Sequence, residues 1–198
     1  MKAVLTSLFC FALTMISFAQ NNNTDTIQHM TFKGVPIDGT LNEYVSKMKQ
    51  SGFTLIRTED GAAVLKGEFA AYKGCIIGVS TLKGKDLVSK ITVLFPERET
   101  WSSLSSNYFN LKELLTEKYG KPTKVVEKFD TSLKPDDDGD RMYAVKRDNC
   151  KYDTTYELEN GSIQISIDHH SVSRCFVKLT YIDKINSEKV RQKAIDDL

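Results

Sequence analysis

Apolar residues recur at two different periods along this chain, and the change from one period to the other marks its elements. In TLNEYVSKMKQSG, residues 40–52, Leu41, Tyr44, Val45 and Met48 fall at the i, i+3, i+4, i+7 spacing of one helix face. Thr40 and Glu43 stand as a capping box, in which the hydroxyl and the carboxylate each satisfy a free backbone N–H at the helix start. Lys47 and Lys49 sit in the last turns, where cations suit the helix dipole, and Gly52 is a left-handed stop. A second helix is expected over 99–120, with Trp101, Leu104, Tyr108, Leu111 and Leu115 on one stripe; Gly120 ends it and Pro122 prevents its resumption.

Between and after these helices the period drops to two. FTLIRTE (53–59), AAVLKGEFAAY (62–72), CIIGVSTL (75–82) and DLVSKITVLF (86–95) read as strands, with turns at Asp60-Gly61, Lys73-Gly74 and Lys83-Gly84. After the second helix, PTKVVEKFD (122–130), RMYAVKRD (141–148), KYDTTYELE (151–159), SIQISIDHH (162–170) and RCFVKLTYID (174–183) read as extended, and Asn160-Gly161 signals a hairpin. SEKVRQKAIDDL closes the chain as a short helix. Tyr152, Thr154, Tyr156 and Leu158 share one face of their strand, opposite Lys151, Asp153, Thr155 and Glu157. Ile163, Ile165 and Ile167, then Cys175, Val177, Leu179 and Tyr181, repeat the alternation. Strands with one apolar and one polar face predict an α+β, two-layer fold. It would hold an antiparallel sheet of about eight strands with two main helices packed on one face. The stretches KQSGFTLIRTED and EKYGKPTKVVEKFD, at the ends of the two helices, read alike. That leaves open two tandem helix-plus-meander repeats, about 29–98 and 99–198, within one domain over 29–198.

The start of the chain changes where this fold is expected to live. Lys2, the apolar run Ala3 to Phe18, and small Ser17 and Ala19 before Gln20 read as a secretory signal peptide over 1–19, followed by a flexible leader over 20–28. Cys10 sits too early, after a bulky Phe9, for a lipidation box. The expected location is therefore periplasmic or secreted, with no membrane insertion after cleavage. Charge narrows the partners. The chain has 27 Lys and Arg against 26 Asp and Glu, and losing Lys2 evens the balance. A neutral chain without basic clusters argues against nucleic acid and against a polybasic membrane patch. Cys75, Cys150 and Cys175 remain after cleavage. An oxidising space allows a disulfide, the odd count leaves at least one thiol free or bonded to another chain, and the strand reading, which brings Cys150 and Cys175 to the same end of a sheet, makes them the candidate pair; Cys75 then reads as a small buried residue.

Three stretches, FKGVPIDGTLNEYVSKMKQSGF, VLKGEFAAYKGC and ITVLFPERETWSSLSSNYFNLKELLTEKYGKP, resemble a family of uncharacterised secreted proteins of Gram-negative gut bacteria, over roughly residues 30–130. The marks of the resemblance are the Gly-Val-Pro-Ile-Asp-Gly-Thr run into the first helix and the Trp helix that ends Lys-Tyr-Gly-Lys-Pro. It implies a fold and no activity or catalytic residues. The helix-plus-meander architecture is similar to that of beta-lactamase inhibitor proteins, an analogy of fold only.

Candidate chemistry is sparse. PDDDGD, 135–140, places Asp136, Asp138 and Asp140 at alternate positions. An EF-hand loop needs Gly at its sixth and Glu at its twelfth position. Counted from Asp136 these are Arg141 and Arg147, and placing Gly139 sixth puts Lys134 first. The three carboxylates could hold a cation only if the loop curls, and a solvated turn begun by Pro135 is the favoured reading. His169 and His170 are adjacent, so a regular strand points them to opposite faces. Asp168 and His170 share the polar face and could form a base with its orienting carboxylate, the basis of an alternative reading as a small secreted hydrolase; Ser171 and Ser173 nearby lie in an ordinary turn. No C-x-x-C, H-E-x-x-H, G-x-S-x-G, Walker or G-x-G-x-x-G pattern occurs, and no cofactor is indicated. The expectation is a non-enzymatic binding or inhibitor-like module that uses its open polar sheet face or its loops. Its ligand would be a protein or small molecule of the cell envelope.

Overall fold

The computed structural model describes residues 28–130, 135–170 and 174–198. The expected signal peptide over 1–19 lies outside them, as do the leader up to 27, the loop 131–134 and Ser171 to Ser173. The chain opens with a small hairpin, β1 (Thr31–Phe32) and β2 (Val35–Pro36), and α1 (Leu41–Gln50). A meander follows: β3 (Thr54–Glu59), β4 (Ala62–Phe69), β5 (Tyr72–Thr81) and β6 (Val88–Leu94). The second half runs α2 (Trp101–Tyr119), β7 (Lys124–Phe129), α3 (Asp138–Lys146), β8 (Cys150–Leu158), β9 (Gly161–His170), β10 (Arg174–Asp183) and α4 (Ile185–Asp196). The eight long strands form one antiparallel sheet in the order β3-β4-β5-β6-β10-β9-β8-β7. Each half thus contributes a helix and then four strands, and the two meanders meet at their last strands, with Thr180 of β10 opposite Thr92 of β6.

Burial follows the alternation read from the sequence. Ile77, Val79, Ile91, Val93, Ile163, Ile165, Val177 and Leu179 line one face and are sealed in a single cluster with Leu41, Tyr44, Val45 and Met48 of α1 and the Trp101, Leu104, Tyr108, Leu111, Leu115 stripe of α2. The β1–β2 hairpin joins the same layer: Phe32 stacks on Phe69 at 4.8 Å and meets the edge of Tyr181 at 5.6 Å. The molecule is therefore a two-layer α+β fold with its helices packed against one face of the sheet. At the start of α1, Thr40 N–H donates to Glu43 Oε2 at 3.0 Å and Glu43 N–H to Thr40 Oγ1 at 3.4 Å, completing the capping box.

In the first half the buried Tyr44 hydroxyl has no hydrogen-bond partner, whereas in the second the buried hydroxyls are paired. Under α2, Tyr108 Oη lies 2.6 Å from Thr154 Oγ1 and donates to Glu127 Oε1 at 3.2 Å, while Lys112 Nζ donates to the same carboxylate at 2.5 Å. Thr116 and Tyr156 exchange a hydrogen bond of 2.8 Å beside them. Burial pushes the Tyr108 phenol well above its usual range, so it stays protonated as the donor in this network.

Four sequence expectations are corrected. Residues 141–148 are not extended: Asp138–Lys146 is helical. The acidic run is the reason. Asp137 is the N-cap, its carboxylate accepting from Asp140 N–H at 2.8 Å, and Asp138 and Asp140 occupy the first turn, where negative charge suits the dipole. PDDDGD is therefore a helix start. The second correction is the β4–β5 turn, which falls at Ala70-Ala71 (φ 49° and 66°), not at Lys73-Gly74. Third, the β8–β9 turn is Glu159-Asn160, and Gly161 already belongs to β9. Gly161 serves close packing there, because a Cβ would overlap the carbonyl of Ile182 and the sulfur of Met30. Fourth, Cys150 and Cys175 are free thiols. They do lie at the same end of the sheet, but β9 runs between their strands. Two strand spacings amount to about 10 Å, beyond the roughly 7 Å that a disulfide spans between Cα atoms.

Candidate functional site

The helices pack on one face of the sheet and leave the other uncovered. Strand register assembles it in rows. Gly78, Thr92, Thr180, Gln164 and Thr155 are consecutive cross-strand partners from β5 through β8. The row beside it reads Ile76, Leu94, Lys178, Ser166 and Asp153. Every one of these residues lies one position away from a core residue, so the pleat alone puts them on the opposite face. Four members of the first row are glycine or threonine, and Gln164 is its one long side chain, turned sideways to Asp153. Gly78 is not forced by packing, since a Cβ there would find nothing closer than 3.8 Å.

Polar groups on this face are tied to one another sideways. Gln164 Nε2 donates to Asp153 Oδ2 at 2.6 Å, Lys184 Nζ to Glu157 Oε2 at 2.7 Å, and Lys178 to Asp168. The long side chains screen their neighbours: Ser166 and Thr180 are each 9% exposed although no helix covers them. Apolar area is set among them, with Ile76, Leu94 and Phe176 at one end and Ile182, 37% exposed, at the other. Two shallow depressions mark the ends. Ile76, Leu94, His170, Arg174 and Phe176 line one of about 400 Å³; Thr155, Glu157, Ser162, Gln164 and Ile182 line one of about 490 Å³. Among the described residues the face offers broad contact and shallow depressions.

The residues singled out for chemistry fall apart in the structure. Asp168 is committed to Lys178 and to the N–H of His169, at 2.8 Å for the latter. His170 stands exposed at the end of β9, opposite Arg174, with no hydrogen bond to Asp168. His169 turns to the covered face, where its Nε2 lies 3.1 Å from Asp148 Oδ1. Asp138 has a role that the sequence reading missed. Its carboxylate accepts both Ser102 N–H and Trp101 N–H at 2.7 Å, capping α2 from α3. These bonds, led by the one from Ser102, hold its carboxyl below the usual range. Asp136 and Asp140 are exposed, and among the described residues no group of three or more His, Cys, Asp or Glu is arranged to hold a metal ion. The three thiols are poor nucleophiles: burial raises each, and Cys150, with Cys175 adding to the effect, is pushed up to about 12. Among the described residues no helix is long and apolar enough to cross a membrane.

Against known proteins, the chain matches no family model, no curated protein and no solved structure.

Proposed function

We propose that this protein is an exported, non-enzymatic binding module that holds a protein partner of the cell envelope on the open face of its sheet. The observation that carries the reading is the row Gly78, Thr92, Thr180, Gln164 and Thr155, crossing the middle of an uncovered antiparallel sheet. A surface whose central row is mostly glycine and threonine, with apolar patches at its ends and the Lys178–Asp168 and Lys184–Glu157 pairs beside it, suits a protein surface better than a small substrate. Export rests on the signal peptide read over residues 1–19. The architecture that resembles beta-lactamase inhibitor proteins supports the same class of function by analogy of fold only.

The test is site-specific crosslinking in the native envelope. A photoreactive amino acid at Thr92, on the open face, joins the protein to one defined partner. The same group at Lys49, on the exposed side of α1, does not, and Gly78→Arg abolishes the Thr92 adduct while the protein stays folded. Adducts formed equally from both positions, or none from Thr92, contradict the proposal.

A further inference from the structure

On the helical side of the sheet, one flank of α2, the start of α3 and the strands β7 and β8 border a recess of about 450 Å³. Its wall is aromatic. Trp101 opens α2 and Phe109 follows on the same helix, while Phe129 ends β7 and Tyr152 lies in β8. The rings brace one another. Trp101 meets Phe129 at 5.0 Å and Tyr152 at 5.1 Å, with interplanar angles of 61° and 75°, and Tyr152 meets Phe109 at 6.1 Å. Such edge-to-face contacts fix the wall before any ligand arrives. Trp101 is buried, Phe129 and Tyr152 are half-buried and Phe109 is exposed, so the wall grades from core to solvent. The same lining holds one charged side chain, the half-buried Arg141 of α3. Its Nε donates to the carbonyl of Pro135 at 3.3 Å, and among the described residues its guanidinium forms no ion pair. No carboxylate among the described residues lines the recess. Neighbouring ones are engaged elsewhere: Asp138 accepts the N–H groups of Trp101 and Ser102, and Glu127 accepts from Lys112 and Tyr108.

We propose that this recess binds a small aryl carboxylic acid, with its ring against the Trp101, Phe129 and Tyr152 wall and its carboxylate on Arg141. A mostly apolar concavity of this size with one convergent polar group is the usual form of a small-molecule site. A carboxylate accepts paired N–H bonds from a guanidinium, and with Nε held by Pro135 the Nη groups of Arg141 remain as donors. An aromatic surround lowers the local dielectric, which strengthens that pair relative to one in open water. The ligand's ring adds apolar burial and ring contacts that a bare carboxylate lacks. A cation is disfavoured by Arg141, and a neutral aryl compound leaves the guanidinium without a counter-charge. The recess is on the other side of the sheet from the proposed partner surface and does not depend on it.

Trp101 is the only tryptophan in the chain, so its emission reports on the recess directly. The experiment follows that emission, excited at the red edge of indole absorption, while the protein is titrated with phenylacetate and phenylpropionate at millimolar concentrations. At least one acid changes it saturably, while phenylacetamide binds about tenfold more weakly or worse and acetate gives no change. Arg141→Gln weakens the acid by about tenfold and leaves phenylacetamide unaffected, a split that a general loss of structure would not produce. Should that variant fail to fold, Phe109→Ala, at an exposed position, weakens acid and amide alike in its place. Gly-Gly-Phe carries the same phenyl and carboxylate at the end of a peptide, and it binds no more tightly than the acids. No saturable change with either acid overturns the proposal, as does an amide bound as well as its acid, an affinity unchanged in the variants, or the peptide acting as the better ligand.

Discussion

Ile77 and Gly78 are neighbours in β5 and live under different rules. Ile77 is fully buried between Leu65 and Val93, beneath the helical layer. Gly78 lies between Val64 and Thr92, and a Cβ there would meet only Thr92, at an ordinary 3.8 Å. The same contrast runs across the sheet, from Ile91 beside Thr92 to Leu179 beside Thr180. One face has been filled to interior density, so every methylene there matters to stability. The other is held by lateral pairs such as Gln164 with Asp153 and Lys178 with Asp168, and its side chains can change with little effect on folding. The strand pleat thus separates residues that keep the fold from residues free to serve a partner.

Substitutions sharpen this separation. The largest effect is expected from Leu104→Ala, because Leu104 is fully buried on the inner face of α2. Urea denaturation should give a loss of about 2–5 kcal/mol, the range for a buried leucine that leaves a cavity. Tyr108→Phe keeps the ring but strips Thr154 and Glu127 of a shared partner. A loss of about 1–3 kcal/mol is expected by the same measurement, with Thr154 left unsatisfied in a buried place. A smaller effect belongs to the cap that α3 places on α2. The hydrogen bond from Ser102 N–H, with that from Trp101, holds the Asp138 carboxyl below the usual carboxylate range, so its contribution is present above that range and fades as pH falls through the lower folded value. Asp138→Asn should lower Tm at neutral pH, and the difference from the parent protein should shrink on acidification below about pH 4. A gap that widens in acid would contradict the assignment. The smallest effect is on the open face: Gly78→Arg should stay within about 0.5 kcal/mol of the parent protein.

The sequence exposed the covered layer well because two periods are hard to confuse over long runs. The α1 capping box, the α2 stripe and the alternation from Ser162 to His170 each appear where the spacing put them. Its failures are local and share a cause. The run at 135–140 reads as a turn, with a cation loop as the alternative, whereas its aspartates are caps: Asp137 for α3 and Asp138 for a helix some forty residues earlier. Only tertiary contact makes Asp138 a cap for α2, so no local pattern could reveal it. The hairpin glycines misled in a similar way. The chain turns at Ala70-Ala71 against propensity, and Gly161 answers to the approach of Met30 and Ile182 from distant parts of the chain. Cys150 and Cys175 do reach one end of the sheet, but strand order, which the sequence left open, puts β9 between them.

The account stands on the claim that one face of the sheet is sealed and the other free. Its most direct test is a pair of variants at adjacent positions, Ile77→Arg and Gly78→Arg, followed by thermal denaturation and near-UV circular dichroism. Ile77→Arg is expected to abolish cooperative unfolding, because it buries an unpaired charge under the helices, while Gly78→Arg keeps the parent protein's Tm and tertiary signal. Equal damage from both, or a folded Ile77→Arg beside an unfolded Gly78→Arg, would contradict it.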